Sequence, residues 1–155
     1  MGNPYAQFTY DDLMEMKAAG LLAASEDGSI LDLGAGLVDG FLVIDLSACE
    51  IATGNEIYTV SLEGSNTAAM SSGSVCLAKK VFGNLVVPMD AALSASGRYV
   101  IPFRNEEGGT IFRYARLSTL IAGTIATGIN FSALDRKSTR LNSSHIQKSR
   151  MPSSA

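Results

Sequence analysis

Residues 41–65, FLVIDLSACEIATGNEIYTVSLEGS, decide how the rest of the chain is read. Leu42, Ile44 and Leu46 fall on one side of an extended backbone, and Phe41, Val43 and Asp45 on the other. After Thr53-Gly54-Asn55 the alternation resumes, with Tyr58, Val60 and Leu62 opposite Ile57, Thr59 and Ser61. A period of two belongs to a strand with two distinct faces. Val, Ile, Tyr, Thr and Phe also suit a pleated, half-buried surface. The stretch predicts two strands joined as a hairpin by a glycine-containing loop. Leu42, Ile44, Leu46, Tyr58, Val60 and Leu62 are the side chains it sends inward.

Outward from there, Ile30, Leu31 and Leu33 precede Gly34 and Gly36 and suit a short strand over 29–33. Residues 64–73, GSNTAAMSSG, are small and polar and suit a loop. Residues 75–82 alternate again, with adjacent Lys79 and Lys80 taking both faces. Lysine on an edge strand discourages unwanted pairing. A short apolar run at 85–87 ends at Pro88. In 98–103, Tyr99, Ile101 and Phe103 share a face, and Pro102 marks an edge because it cannot donate to a ladder. Asn105-Glu106-Glu107-Gly108-Gly109 is the clearest turn signal and is expected to join a second hairpin, whose other strand spans 111–120. Residues 121–131 supply the last strand, interrupted by Gly123 and Gly128. Seven or eight short strands separated by turns predict an all-β fold, an antiparallel jelly roll or β-sandwich, over residues 29–134.

Residues 1–28 are expected to form a helix or arm ahead of that sandwich. Thr9 can cap a helix, and Asp11, Asp12 and Glu15 suit the positive end of its dipole. Leu13, Met16 and Leu21 fall near one helical face, with Met14, Ala18 and Leu22 beside them. An extended arm reaching a neighbouring subunit is the alternative. A membrane-surface helix would want basic residues, and only Lys17 is available.

The C-terminal run from Asp135, DRKSTRLNSSHIQKSRMPSSA, has neither strand nor helical periodicity. Back-translated in one frame, it matches the DNA of a widely used sequencing-library adapter. Asp135 to His145 matches one constant part, Ile146 and Gln147 fall in the variable index, and Ser149 to Ala155 match the constant end. An open reading frame from environmental DNA that ran off the end of a read would look like this. Residues 135–155 are therefore read as a non-native tail and excluded from fold reasoning. The tail holds five of the chain's 12 basic residues and one of its 15 acids, which leaves seven against fourteen and a net of −7 for the body. Such a body argues against nucleic acid as a partner, because phosphates select clusters of Lys and Arg.

The composition is that of a lightly charged globular domain, with 17% charged residues against about 25% in an average protein. No apolar run approaches the roughly 18 residues of a membrane span, and neither a membrane partner nor a secretory signal is expected. The only histidine, His145, lies in the tail, so a Ser-His-Asp or Cys-His arrangement has no base. Cys49 and Cys76 are too few for a disulfide framework and read as buried thiols; without histidine they make a poor zinc site. Gly34-Ala35-Gly36 lacks the third glycine of a dinucleotide fingerprint. Asp45, Glu50, Glu56 and Glu63 do not have the spacing of a metal loop and read as solvated strand charges. Arg113 and Arg116 are expected to pair with surface acids. No catalysis, cofactor or metal is expected.

Several blocks occur in a telling order: Ile30-Leu31-Asp32-Leu33-Gly34, Asp39-Gly40 with the strand from Phe41, Asn55-Glu56-Ile57-Tyr58-Thr59-Val60 ending at Glu63-Gly64-Ser65, then Gly97-Arg98-Tyr99, Tyr114-Ala115-Arg116-Leu117 and Gly123-Thr124-Ile125. Together they resemble the capsid cement, or decoration, proteins of tailed bacteriophages over about residues 30–134. The resemblance implies a jelly roll made in the bacterial host cytoplasm and carried on the outer surface of the icosahedral head. There it would bridge subunits of the major capsid protein as a homo-oligomer, a dimer or trimer. The N-terminal segment departs from the family pattern, and its Tyr5, Phe8, Leu13 and Met16 are the candidate capsid or inter-subunit contacts. The rival readings are a jelly-roll carbohydrate-binding or tail receptor-binding module and a cupin-type enzyme. The first would want a platform of exposed aromatics, and there is no Trp; the second would want a histidine-rich metal site.

Overall fold

The computed structural model describes residues 15–83 and 95–137. Its strands are β1 Glu15–Leu22, β2 Glu26–Asp32, β3 Asp39–Cys49, β4 Ile57–Ser65, β5 Val75–Gly83, β6 Gly97–Arg104, the two-residue pair β7 Glu106–Glu107 and β8 Thr110–Ile111, then β9 Tyr114–Ala122 and β10 Ile129–Lys137. One four-stranded sheet, sheet A, runs β1-β10-β3-β6, and the other, sheet B, runs β2-β9-β4-β5. Every pairing is antiparallel. The pairs β1:β10, β2:β9, β3:β6 and β4:β5 are the rungs of one long ladder folded over on itself. Rolling that ladder closes β10 on β3 and β9 on β4, which is the jelly roll.

The core lies between the sheets. Leu42, Ile44 and Leu46 of β3 meet Tyr58, Val60 and Leu62 of β4, all 3% exposed or less. Phe82, Leu117, Ile129 and Phe131 fill the space between them. Each large apolar side chain so buried contributes about 1.5–3 kcal/mol relative to exposure, so this cluster is the main stabilising element. All six side chains expected inward are in it. The strands that carry them are not, however, a hairpin. β3 belongs to sheet A and β4 to sheet B, and residues 50–56 cross between sheets. Alternation records which face is buried, and two strands facing one another across a core have the same signature as two strands side by side.

The second expected hairpin is corrected in the same way. The Gly108-Gly109 turn closes only β7 on β8, with Glu106 opposite Ile111, while β6 and β9 lie in opposite sheets. Residues 123–128 are a crossing loop, so the last strand begins at Ile129. Pro102 and the Lys79-Lys80 pair do sit on edge strands, β6 and β5.

Residues 15–22, expected on a helix, form β1 at the edge of sheet A, and the sandwich thus starts well before residue 29. Two register shifts, between Glu15 and Lys17 and between Lys17 and Gly20, break its period of two. Met16 is buried in the core while Leu21 is 55% exposed, so the two do not share the face a helix would give them. The Lys17 ammonium donates to the carbonyls of Ala18, Gly20 and Phe131, each at 3.1 Å, and lies 4.6 Å from the Phe131 ring centroid. Burial lowers its pKa. At the other end, β10 passes the expected boundary at Leu134, with Asp135, Arg136 and Lys137 opposite Leu42, Phe41 and Gly40. Ladder bonds are made by backbone, so β3 can pair these residues whatever their side chains. The expected helix start at Thr9, the run at 85–87, His145 and the remainder of the tail lie outside the described residues.

Candidate interaction surface

One end of the roll gathers the β2–β3 loop at 33–38, the β4–β5 loop at 66–74 and the β7–β8 hairpin with its flanks at 105–113. The chain enters β1 at this end, where Glu15 pairs with Leu134, and leaves β10 where Lys137 pairs with Gly40. Asn105, fully buried, ties the loops together. Its Nδ2 donates to the carbonyls of Phe112 (2.9 Å) and Gly36 (3.0 Å), and its Oδ1 accepts from the Val38 amide at 2.6 Å. Its own backbone amide donates to Val38 and its carbonyl accepts from Phe112. Asn66 adds a second tie, donating to the Ile111 carbonyl and accepting from the Arg113 amide, both at 3.0 Å. Met70, buried with a φ of 49°, and Phe112 lie under these loops. On the outside the pinned loops expose Leu37 (42%) and Ile111 (39%). Rigid loops bearing exposed apolar side chains are suited to binding a protein surface.

The charges are also committed to structure. Arg113 grips Asp32 with two bonds of 2.9 and 2.8 Å, and with the Gly34 amide it lowers the Asp32 carboxyl to about 2. Arg116 reaches both Asp27 and Glu63. These pairings match the expectation for the two arginines. Glu50 and Glu56 do not match the expectation of solvated strand charges. At the opposite end of the roll, Glu50 accepts from the amides of Thr127, Gly128 and Ala126 at 2.6, 2.8 and 3.0 Å. Those bonds hold its carboxyl below the ordinary range. Glu56 is buried, which pushes its carboxyl up, but the Thr53 and Gly54 amides outweigh that and hold it down. A carboxylate can replace water for several amides in a loop that turns too sharply to pair them in a ladder. Cys49 is half-buried, but Cys76 is exposed because the register shifts opposite Glu63.

Of the four contact residues expected from sequence, only Met16 is described, and it is a correction. It is 4% exposed and part of the core cluster, because β1 directs it between the sheets. Tyr5, Phe8 and Leu13 lie outside the described residues. Asn105 escaped notice because it sits in a Gly-rich turn and reads as ordinary turn chemistry; no local pattern marks it as buried. Among the described residues no three His, Cys, Asp or Glu side chains are grouped to hold a metal ion. No helix there is long and apolar enough to cross a membrane. No family model matches this chain, and no curated protein matches it.

Proposed function

We propose that this chain is a non-enzymatic structural protein of the tailed-phage virion, one that binds the outer surface of the icosahedral capsid and cements major capsid subunits. The observation that carries the reading is the ordered set of resembling blocks, which fall on successive parts of the jelly roll. Ile30 to Gly34 ends β2, Asp39-Gly40 opens β3, Glu63-Gly64-Ser65 ends β4, Gly97 opens β6, and Tyr114 opens β9. One of the block glycines is required by the backbone around it. A Cβ at Gly123, with φ +99°, would run into the Asn55 carbonyl.

Such a protein needs a rigid body and a surface complementary to the shell. Many symmetric copies, each adding modest buried area, then resist internal pressure together. The Asn105-tied end, with Leu37 and Ile111 outward, is the surface we assign to that contact. The test is co-sedimentation of the chain, with residues 138–155 removed, with heads assembled from the matching major capsid protein. Saturable binding that is lost in Leu37→Glu/Ile111→Glu supports the assignment. A chain that stays in the supernatant overturns the cement reading.

A further inference from the structure

We infer that the end of the roll opposite Asn105 is an acid-opened clasp, which releases the β9–β10 crossing loop while the Asn105-tied end stays closed. The two ends are pinned by different chemistry. At one end the ties are the carboxamides of Asn105 and Asn66, which do not titrate. At the other they are carboxylates. Glu50 stands where the chain leaves β3 to cross to β4. Its Oε2 accepts from the Thr127, Gly128 and Ala126 amides at 2.6, 2.8 and 3.0 Å. The Glu50 amide returns a bond to the Gly128 carbonyl at 3.0 Å. One side chain thus holds three successive amides of a loop that no strand pairs. Glu56 does the same for its own loop, accepting from Thr53 and Gly54 at 2.7 and 2.8 Å.

The released segment has a hinge at each end. The loop enters at Gly123, with φ +99°, and leaves at Gly128, with φ +106°. Such residues absorb the backbone rotation that a moving loop needs. Between them Ile125 packs against the core cluster. Thr124 is held separately, by the Asn55 carboxamide at 3.0 and 3.1 Å, so Glu50 is the side chain that ties residues 126–128. A protonated carboxyl turns one acceptor into a donor, facing amides that are donors too. Hydrogen bonds to the charged form are also about twice as strong. Neutralising Glu50 therefore loosens the loop and uncovers Ile125.

The direction follows from the groups around Glu50. The Thr127 and Gly128 amides hold its carboxyl below the ordinary 4.5, against burial and the Glu56 charge, which push it up. A folded value below the unfolded one makes the clasp complete above 4.5 and lost as pH falls below it. The Tyr58 hydroxyl donates to the Glu50 carbonyl at 3.1 Å, and Cys49 lies beside it; both are uncharged in acid. At the Asn105 end, Asp32 accepts from the Gly34 amide, but the Arg113 grip lowers its carboxyl to about 2, so it is lost later. Glu106 there caps only the hairpin tip, at Gly109.

Amide exchange of the full chain, followed by nuclear magnetic resonance from pH 6 to pH 2 and corrected for intrinsic rates, tests the inference without heads. The Glu50 carboxyl carbon reports its protonation in the same samples. We expect Thr127 and Gly128 to lose protection by about tenfold or more as Glu50 titrates. The Val38 and Phe112 amides, bonded to Asn105, should keep theirs at that pH. Thr127 and Gly128 still protected after Glu50 has titrated, or both ends losing protection in one step, overturns it. Glu50→Gln should show the open loop at neutral pH, with Thr127 and Gly128 about tenfold faster and Thr124, Val38 and Phe112 unchanged. Exchange as slow as the parent's in that variant also overturns it. The parent titration decides alone if Glu50→Gln does not fold.

Discussion

Asn105→Ala is the substitution whose cost the structure specifies best. It removes three hydrogen bonds made by one side chain and leaves three backbone groups without that partner. The Phe112 carbonyl is the buried one; the Gly36 carbonyl and Val38 amide are partly buried and can recruit water. An abandoned buried group costs about 1–3 kcal/mol, and a partly wet one lies at the low end of that range. The sum is about 3–5 kcal/mol, a large share of the roughly 5–15 kcal/mol that holds a domain together. For a domain of this size that lowers the melting temperature by about 10–20 °C. Urea unfolding should show the midpoint falling with an unchanged slope, because the surface exposed on unfolding is the same. Asn105→Asp sharpens the test. It keeps the acceptor for Val38 but points a carboxylate oxygen at two carbonyls, so at neutral pH it should be no better than Ala. A loss below about 1 kcal/mol for Ala, or wild-type stability for Asp at neutral pH, would refute the assignment of Asn105 as the tie of this end.

Three other outcomes follow from the same structure. Asp32, Glu50 and Glu56 all have folded carboxyls held below their unfolded values of 3.8 and 4.5. Their contribution is therefore complete above those values; that of Asp32 is lost as pH falls to about 2, and those of Glu50 and Glu56 as pH falls below 4.5; thermal melts from pH 6 to pH 2 should fall steeply in the lower part, and Asp32→Asn should flatten that fall. Gly123→Ala must hold a φ of +99° and drive a Cβ into the Asn55 carbonyl; soluble yield and circular dichroism should show a chain that does not reach the native fold, and a well-folded variant would contradict the crossing of this loop. Met16→Asp should destabilise the protein by about 3 kcal/mol or more, since it buries an unpaired carboxyl in the core; a denaturation midpoint like the parent's would place Met16 on the surface instead.

The core was legible because it depends on a local signal. Leu42, Ile44, Leu46, Tyr58, Val60 and Leu62 alternate without interruption, and all are buried. Strand partners were not legible, because nothing in β3 or β4 says whether the other strand lies beside it or across from it. The ladder that decides is long-range: β3 pairs with β10 and β6, not with its neighbour in sequence. β1 was missed for the opposite reason. Its two register shifts erase the local period, and the lysine that satisfies the displaced carbonyls reads in sequence as a solvated charge. Glu50, Glu56 and Asn105 share one cause of illegibility. Each is a polar side chain whose partners are backbone groups of loops, and a loop amide leaves no mark in the one-letter code. Arg113 and Arg116 were legible because a charged strand residue beside acids has few other stable arrangements.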